Sequence, residues 1–243
     1  MINKSELQSI IGKYYLGGIV ESVKWDIADN ALSIDFQSPN KDMIGRVQHT
    51  NFPLEDSTLA VYDTSKLNKL LSITNGDLII SLEKMKAIYT KMHIQDSNYD
   101  LTYSLADTLI LGKNTWYEDP ENLDINITLE PEDVDALIKA KNALGDIDNM
   151  LITTTTDFDS NPICEFIFGD NTGFSNKITY QVNGGKIENN SLSIPFNSDI
   201  FKDILNNNKD MSLCKLKLSD TGILKLEFIS EEINSEYFIA RNE

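Results

Sequence analysis

The chain has little with which to do chemistry. Of its 243 residues, two are histidine and two are cysteine. Cys164 and Cys214 each sit in an alternating, strand-like run, which points to buried free thiols and away from a disulfide. His49 and His93 stand alone inside strand-like runs, so a structural role is expected for both. No Cys/His cluster has metal-ligand spacing. There is no Walker-type phosphate loop, because Gly17-Gly18 and Gly184-Gly185 lack the accompanying Lys-Ser/Thr. Glu130, Glu132, Asp133 and Asp135 read as a solvated, acid-rich first turn of a helix in preference to a metal site. No apolar run approaches the roughly 18 residues of a membrane span. Residues 1–11 lack the apolar segment and small-residue cleavage site of a signal peptide. Together these absences set aside catalysis, cofactors, metals and membranes. A soluble, unexported, cytoplasmic and non-enzymatic protein is expected.

Basic charge is scarce as well. Lys and Arg number 21 against 38 acids, a net charge of −17. Residues 1–120 hold 11 basic and 16 acidic groups, and residues 121–243 hold 10 and 22. Binding of nucleic acid over the whole surface is excluded by that balance, since phosphate contacts need Lys and Arg. One basic strip on an otherwise acidic, DNA-repelling body is compatible with it.

What the chain does have is a repeat. Residues 62–71, YDTSKLNKLL, return 134 positions later as FNSDIFKDIL, residues 196–205. The first copy reads as a capped helix, with Asp63 or Ser65 as cap, then an Asn75-Gly76-Asp77 turn and a strand at 78–82. The second copy again leads into a strand, at 213–218. One supersecondary unit written twice implies two similar domains in one chain.

The remaining order supports this. Residues 5–15 read as a helix with Ser5 as cap, followed by strands at 19–25, 31–36, 43–49 and 58–61. After the second helix come strands at 78–82, 87–94 and 101–105. Residues 112–124, with Pro120 and a local cluster of acids, read as a linker. The order then restarts with a helix at 131–144 and strands at 150–156, 163–168, 177–182 and 192–196. A helix at 198–206 and strands at 213–218, 223–228 and 237–240 close the chain. The fold class expected is α+β, two similar domains each with two helices packed on antiparallel sheets. Their bounds are expected at 1–112 and 127–243, joined by a connector at 113–126.

Read by face, every helix offers a lysine off its apolar stripe. Lys13 lies to one side of Leu7, Ile10, Ile11 and Tyr14. Lys69 faces away from Leu67, Leu70 and Leu71. Lys139 lies nearly opposite Val134, Leu137, Ile138 and Leu144. Lys202 faces away from Ile200, Phe201, Ile204 and Leu205. Lys141 falls on its own stripe and is expected to snorkel. In the linker, Trp116 and Tyr117 are large aromatics in polar surroundings, suited to docking or to packing back on the sheet.

Residues 59–73, LAVYDTSKLNKLLSI, with the Asn-Gly-Asp turn after them, and residues 132–148, EDVDALIKAKNALGDID, resemble DNA polymerase sliding clamps of the T-even bacteriophage type. These clamps are relatives of PCNA, and the likeness extends over nearly the whole chain. The resemblance implies the DNA clamp fold, closed as a homotrimeric ring whose helices face duplex DNA without sequence preference. It implies a processivity factor that tethers the replicative DNA polymerase, is loaded by an ATP-dependent clamp loader, uses no cofactor and catalyses nothing. For T-even clamps the transcription machinery is a further partner. Under this reading Lys13, Lys69, Lys139 and Lys202 are the DNA-facing residues. The ring would close between strand 101–105 and strand 177–182 of a neighbour, with Leu101, Tyr103, Leu105, Ile178 and Tyr180 at the interface. Partner peptides would dock on Leu109, Leu111, Trp116, Tyr117, Phe238 and Ile239, where only one of the last two faces outward. The competing reading is a non-enzymatic, duplicated β-rich adaptor or virion structural protein; a hydrolase built on the carboxylate clusters has the weakest support.

Overall fold

The computed structural model describes residues 1–112, 116, 119–120, 122–169 and 176–242. Backbone contacts divide the chain into two compact units, Met1–Trp116 with Glu231–Ser235, and Tyr117–Ser230 with Glu236–Glu243. Both are α+β, with helices packed on antiparallel sheets.

The first unit runs β1 (Ile2–Asn3), α1 (Lys4–Tyr15), β2 (Val23–Ala28), β3 (Ala31–Gln37), β4 (Met43–His49), β5 (Ser57–Val61), α2 (Thr64–Ser72), β6 (Asp77–Met85), β7 (Ile88–Gln95) and β8 (Asp100–Ser104). One sheet has the order β1-β6-β7-β8; in the other, β4, β3, β2 and β5 lie side by side. The β2–β3 turn places Asp29 and Asn30 at φ 52° and 61°. Two successive positive φ values give the primed turn whose twist suits a two-residue hairpin, and Asp and Asn tolerate it best after Gly. The cap of α1 is Asn3, two residues earlier than the expected Ser5: its Oδ1 accepts the Ser5 N–H at 3.0 Å. Lys4 then stitches α1 to the end of α2, its ammonium donating to the carbonyls of Ser72 and Thr74. The strand expected at 19–25 starts only at Val23, because a 3₁₀ turn at Leu16–Gly18 intervenes.

The second unit runs β9 (Ile125–Leu129), α3 (Pro131–Ala143), β10 (Asn149–Thr156), β11 (Pro162–Gly169), β12 (Lys177–Asn183), β13 (Lys186–Ile187), β14 (Ser193–Asn197), α4 (Ser198–Asn208), β15 (Leu213–Leu218), β16 (Ile223–Ile229) and β17 (Ile233–Ala240). The order is β12-β11-β10-β14 in one sheet and β13-β9-β15-β16-β17 in the other. The first three residues of β17 belong to the first unit. Pro131 opens α3, where its missing N–H is no loss, and the Asp133 carboxylate accepts the Glu130 N–H at 2.8 Å. Strand β9 was not expected; it follows directly on the linker expected at 112–124, and its first two residues fall in the stretch assigned to the connector.

The core of each unit lies between helices and sheet. In the first, Leu7, Ile10, Ile11, Tyr14, Trp25 and Leu67 are fully buried. In the second, Phe166 stacks on Phe201 at 5.9 Å, and Phe228 meets Tyr237 edge-on at 6.0 Å. Cys164 and Cys214 are free and buried. Burial pushes the Cys164 thiol up to about 12 and moves Cys214 in the same direction, so both are inert apolar fillers. Among the described residues no helix is long and apolar enough to cross a membrane.

Candidate nucleic-acid interface

The repeated phrase is one structural device in two places. Asp63 caps α2 by accepting the Lys66 N–H at 2.8 Å, and Asn197 caps α4 by accepting the N–H groups of Asp199 and Ile200 at 3.0 and 2.9 Å. The next residue, Thr64 or Ser198, is wholly buried. Each donates its hydroxyl to a carbonyl of an earlier loop, Thr64 to Glu21 and Ser198 to Ile147. α1 packs on α2, and α3 on α4.

The helix lysines divide into free and engaged ones. Lys66, Lys69 and Lys139 are exposed, and none makes an ion pair or side-chain hydrogen bond among the described residues. Lys66 was not expected as a contact; it lies three residues before Lys69 on the same face, and the spacing could have revealed it. Thr64–Ser72 contains two lysines and no acid. Lys202 is half-buried between Asp199 at 3.4 Å and Asp203 at 3.2 Å. Burial pushes the Asp203 carboxyl above its ordinary range, against the pull of Lys202.

Two lysines depart from the helical-wheel reading. Lys13 is 0 % exposed and donates to Ser9 Oγ at 2.9 Å, so it cannot present charge to a ligand as α1 stands. The cause is that α1 is covered from two directions, by α2 and by β4. Lys141 does not snorkel. Its ammonium is buried, donates to the carbonyls of Gly145 and Ile147 at 3.0 and 2.7 Å, and lies 3.3 Å from Asp199. Lys141 fastens the end of α3, and Lys13 is held inside the packing of α1.

Among the described residues, the four-stranded sheet of each unit has one longer edge strand without a partner, while β5, the edge of the other sheet in the first unit, is met only by a single bridge from Ala60 to Ala106. β8 ends the sheet β1-β6-β7-β8, and β12 ends the sheet β12-β11-β10-β14. The opposite edges are closed: β1 is two residues long, and β14 carries Pro195, whose carbonyl accepts the Asn242 N–H. The side chains at the open edges are not arranged as expected. Leu101 and Tyr103 are buried, at 8 % and 1 % exposure, in the core of the first unit. The Tyr103 hydroxyl donates to the Asp63 carbonyl at 3.0 Å and accepts the Asp63 N–H at 3.1 Å. Leu105 is half-buried. Ile178 and Tyr180 are half-buried, and the Tyr180 hydroxyl donates to the Asp133 carboxylate at 2.7 Å, which pushes it up to about 12. What faces outward at β8 is Thr102 and Ser104 with their backbone.

Solved structures with the same arrangement exist. The proliferating cellular nuclear antigen of Entamoeba histolytica superposes with a TM-score of 0.76, at 15% identity, covering 99% of this chain and 96% of its own. A PCNA2–PCNA3 complex from Sulfolobus tokodaii gives 0.73 at 11%, covering 99% and 98%. A. fulgidus PCNA, in a structure with the C-terminal region of FEN-1 bound to it, gives 0.77 at 13%, covering 100% and 97%. The chain has the DNA clamp fold of PCNA. No family model and no curated protein sequence matches it.

Within this clamp fold the residues expected to form a peptide pocket do not come together as one. Leu109 is 89 % exposed, and its unexpected neighbour Ile110 is 74 % exposed. Leu111 is half-buried. Trp116 lies against Arg46, whose guanidinium sits 4.1 Å from the ring centroid and grips Asp35 through two bonds of 2.5 and 2.8 Å. Tyr117 lies outside the described residues. Phe238 and Ile239 are both buried, at 3 % and 0 %. Alternation fails here because the second face of β17 is covered too. Lys225 spreads over the Phe238 ring at 5.0 Å and is itself 5 % exposed. It is held by Asp119 at 2.5 Å, Glu227 at 2.7 Å and Glu236 at 3.2 Å, and Glu227 also takes Lys217 at 3.0 Å. These cations hold Glu227 below the usual carboxylate range despite its partial burial.

The histidines are engaged structurally. His49 is buried; its Nδ1 accepts the Asn51 N–H at 3.2 Å, so Nε2 carries the proton and donates to Glu6 at 2.6 Å. Glu232 brings a third donor atom within 4.8 Å of these two. That tautomer leaves no lone pair for a cation on Nε2, and a metal-bound His needs an acceptor behind it, where this one has a donor. His93 lies between Glu83 and Thr102 on the outer face of β6, β7 and β8.

Proposed function

We propose that the chain is a sliding clamp. Copies associate edge to edge, β8 of one against β12 of the next, into a closed homotrimer around duplex DNA. The two clamp domains, 1–112 and 127–243, are linked by the connector at 113–126. The ring tethers a replicative DNA polymerase and is placed on DNA by an ATP-dependent loader. It belongs with the T-even bacteriophage type, works in the host cytoplasm and carries out no chemistry itself.

The observation that carries this reading is the pair of open edges β8 and β12, one in the four-stranded sheet of each unit of a chain with the clamp fold. An open edge of five or seven residues offers a row of unpaired N–H and C=O groups to another strand. Because the two edges differ, the contact is head-to-tail, and such contacts close into a ring when the rotation between successive copies closes. The free lysines supply the second support. Lys66, Lys69 and Lys139 give sequence-independent phosphate contacts, which slide without reading bases; Lys202, tied to two acids, contributes less. Partner peptides, like the FEN-1 C-terminal region on A. fulgidus PCNA, are proposed to dock beside Leu109, Ile110, Leu111 and Trp116.

The experiment is sedimentation combined with retention on circular DNA. A discrete trimer that stays on closed circles in the presence of a loader and runs off linear ones is expected. A monomer at micromolar concentration, or equal loss from circles and linear DNA, overturns the reading.

A further inference from the structure

The chain has two Asn-Gly pairs, Asn75-Gly76 and Asn183-Gly184. Such a pair can modify itself, because glycine has no side chain to keep its nitrogen from the carboxamide before it. The glycine nitrogen gives up its proton and attacks Cγ of the asparagine. The new N–C bond closes a five-membered imide as the bond to Nδ2 breaks, and the amide nitrogen takes up a proton and leaves as ammonia. Water then opens the imide. Opening at Cγ gives aspartate, and opening at the main-chain carbonyl gives isoaspartate, whose backbone runs through the former side chain. Either product gains one negative charge.

Closure of the imide requires the local backbone to turn, so anchoring decides which pair reacts. Both asparagines are exposed. Around the first pair the backbone is held on both sides. The Asn75 N–H donates to the Asp96 carboxylate at 2.8 Å, and the Gly76 carbonyl accepts the Lys4 N–H at 2.9 Å. The next residue, Asp77, pairs with Asn3 and accepts its side-chain amide at 3.1 Å.

The second pair is held on one side only. Asn183 is the last residue of β12, its one strand neighbour is Ile163 of β11, and the other side of β12 is the open edge. Among the described residues its side chain makes no hydrogen bond. Gly184 and Gly185 follow at φ 93° and 81°. A Cβ on Gly185 would lie 2.7 Å from the Asn126 carbonyl oxygen, so Gly185 is seated against β9, whereas one on Gly184 would meet open space. Gly184 is therefore a free joint between a strand end and a fixed point, and strand ends open at little cost.

We propose that Asn183 is the site at which the folded chain modifies itself, passing to aspartate and isoaspartate while Asn75 is spared. The product puts a carboxylate, and in the isoaspartyl form one extra main-chain carbon, at the end of the β12 edge. This chemistry needs no second copy, so its test is separate from that of the ring.

The full chain is incubated in mildly alkaline buffer made with heavy-oxygen water, which labels each newly formed carboxyl, and is then digested and sequenced by mass spectrometry. The same incubation in denaturant gives the rate of each pair without the fold, and the readout is the slowing of each pair on folding. Asn75 should be slowed about tenfold or more beyond Asn183, since two hydrogen bonds must open first. Asp96→Ala should remove part of that protection, and Asn183→Gln should abolish the fast conversion of the folded chain. Equal slowing of the two pairs, greater slowing of Asn183, or a fast conversion that persists in Asn183→Gln overturns the proposal.

Discussion

α2 and α4 occupy equivalent places in the two units, yet their surfaces carry opposite charge. Under the 134-residue offset Lys69 corresponds to Asp203 and Ser65 to Asp199. What the two helices share is the cap, the buried hydroxyl one residue on, and the apolar pair Leu67–Leu71 or Phe201–Leu205. The fold therefore depends on the buried side of the phrase and leaves the outer side to vary. A clamp reading assigns both helices to one ligand, but α2 offers two free cations where α4 offers one lysine bound by two aspartates.

The largest effect should come from the shared, buried side. Leu67→Ala and Phe201→Ala each remove a fully buried apolar side chain. Losses of about 3–5 kcal/mol are expected, with Phe201 the larger. Denaturant midpoints check this, and a Phe201→Ala loss under about 1 kcal/mol would mean that α4 is not anchored as α2 is. The hydroxyls come next. Thr64→Val and Ser198→Ala each remove a buried donor and should cost about 1–2 kcal/mol, alike in the two units. A clear difference between them would show that the repeated device is not equally used.

The outer side should separate function from stability. Lys69→Asp copies the α4 charge onto α2, and Asp203→Lys does the reverse. Both should change stability by less than about 0.5 kcal/mol. The first should weaken DNA retention and make it less salt-dependent, equally for all sequences, and the second should do the opposite. Retention that stays the same in both variants would detach DNA from these helices. The smallest effect concerns pH. Asp203 titrates above its ordinary value in the fold, so stability falls as pH rises from the unfolded carboxyl value, and the cost is complete above the folded one. Asp203→Asn should therefore be slightly more stable than wild type at neutral pH, with the difference vanishing below the unfolded carboxylate pKa of about 3.9. A difference that grows on acidification would reverse the sign of this linkage.

Much of the fold was legible in the sequence because its signals are local. The strand at Met43–His49 begins and ends where alternation and turn residues put it, and the cap of α2 is Asp63, one of the two residues that the sequence offered. The missed elements are those whose partners lie far away in the chain. Ile125–Leu129 alternates in burial along its length, but it is five residues squeezed between a linker and Pro131 and was left unassigned. Lys13 looked solvent-facing because a helical wheel shows one packing face, and α1 has two. Phe238 and Ile239 looked like one inward and one outward residue because nothing local announces Lys225 and Asp119 lying over the outer face of β17. For the candidate surface, spacing within helices indicated which lysines leave the apolar stripe. It did not show that α2 and β4 bury Lys13, whereas the pairing of Lys202 with Asp199 and Asp203 of its own helix was there to be read at that spacing; among the described residues, Lys69 and Lys139 have no such neighbour engaged.

The burial of Lys225 gives the molecule two ionic systems that answer differently to dissolved salt. Counterions reach exposed lysines such as Lys66 and Lys69 freely, and at 0.1 M their field fades within about 10 Å. Lys225 is shut away under Asp119 and the Phe238 ring, where mobile ions do not enter. Raising the ionic strength should thus weaken the pull of Lys66 and Lys69 on any polyanion long before it loosens Asp119 from Lys225.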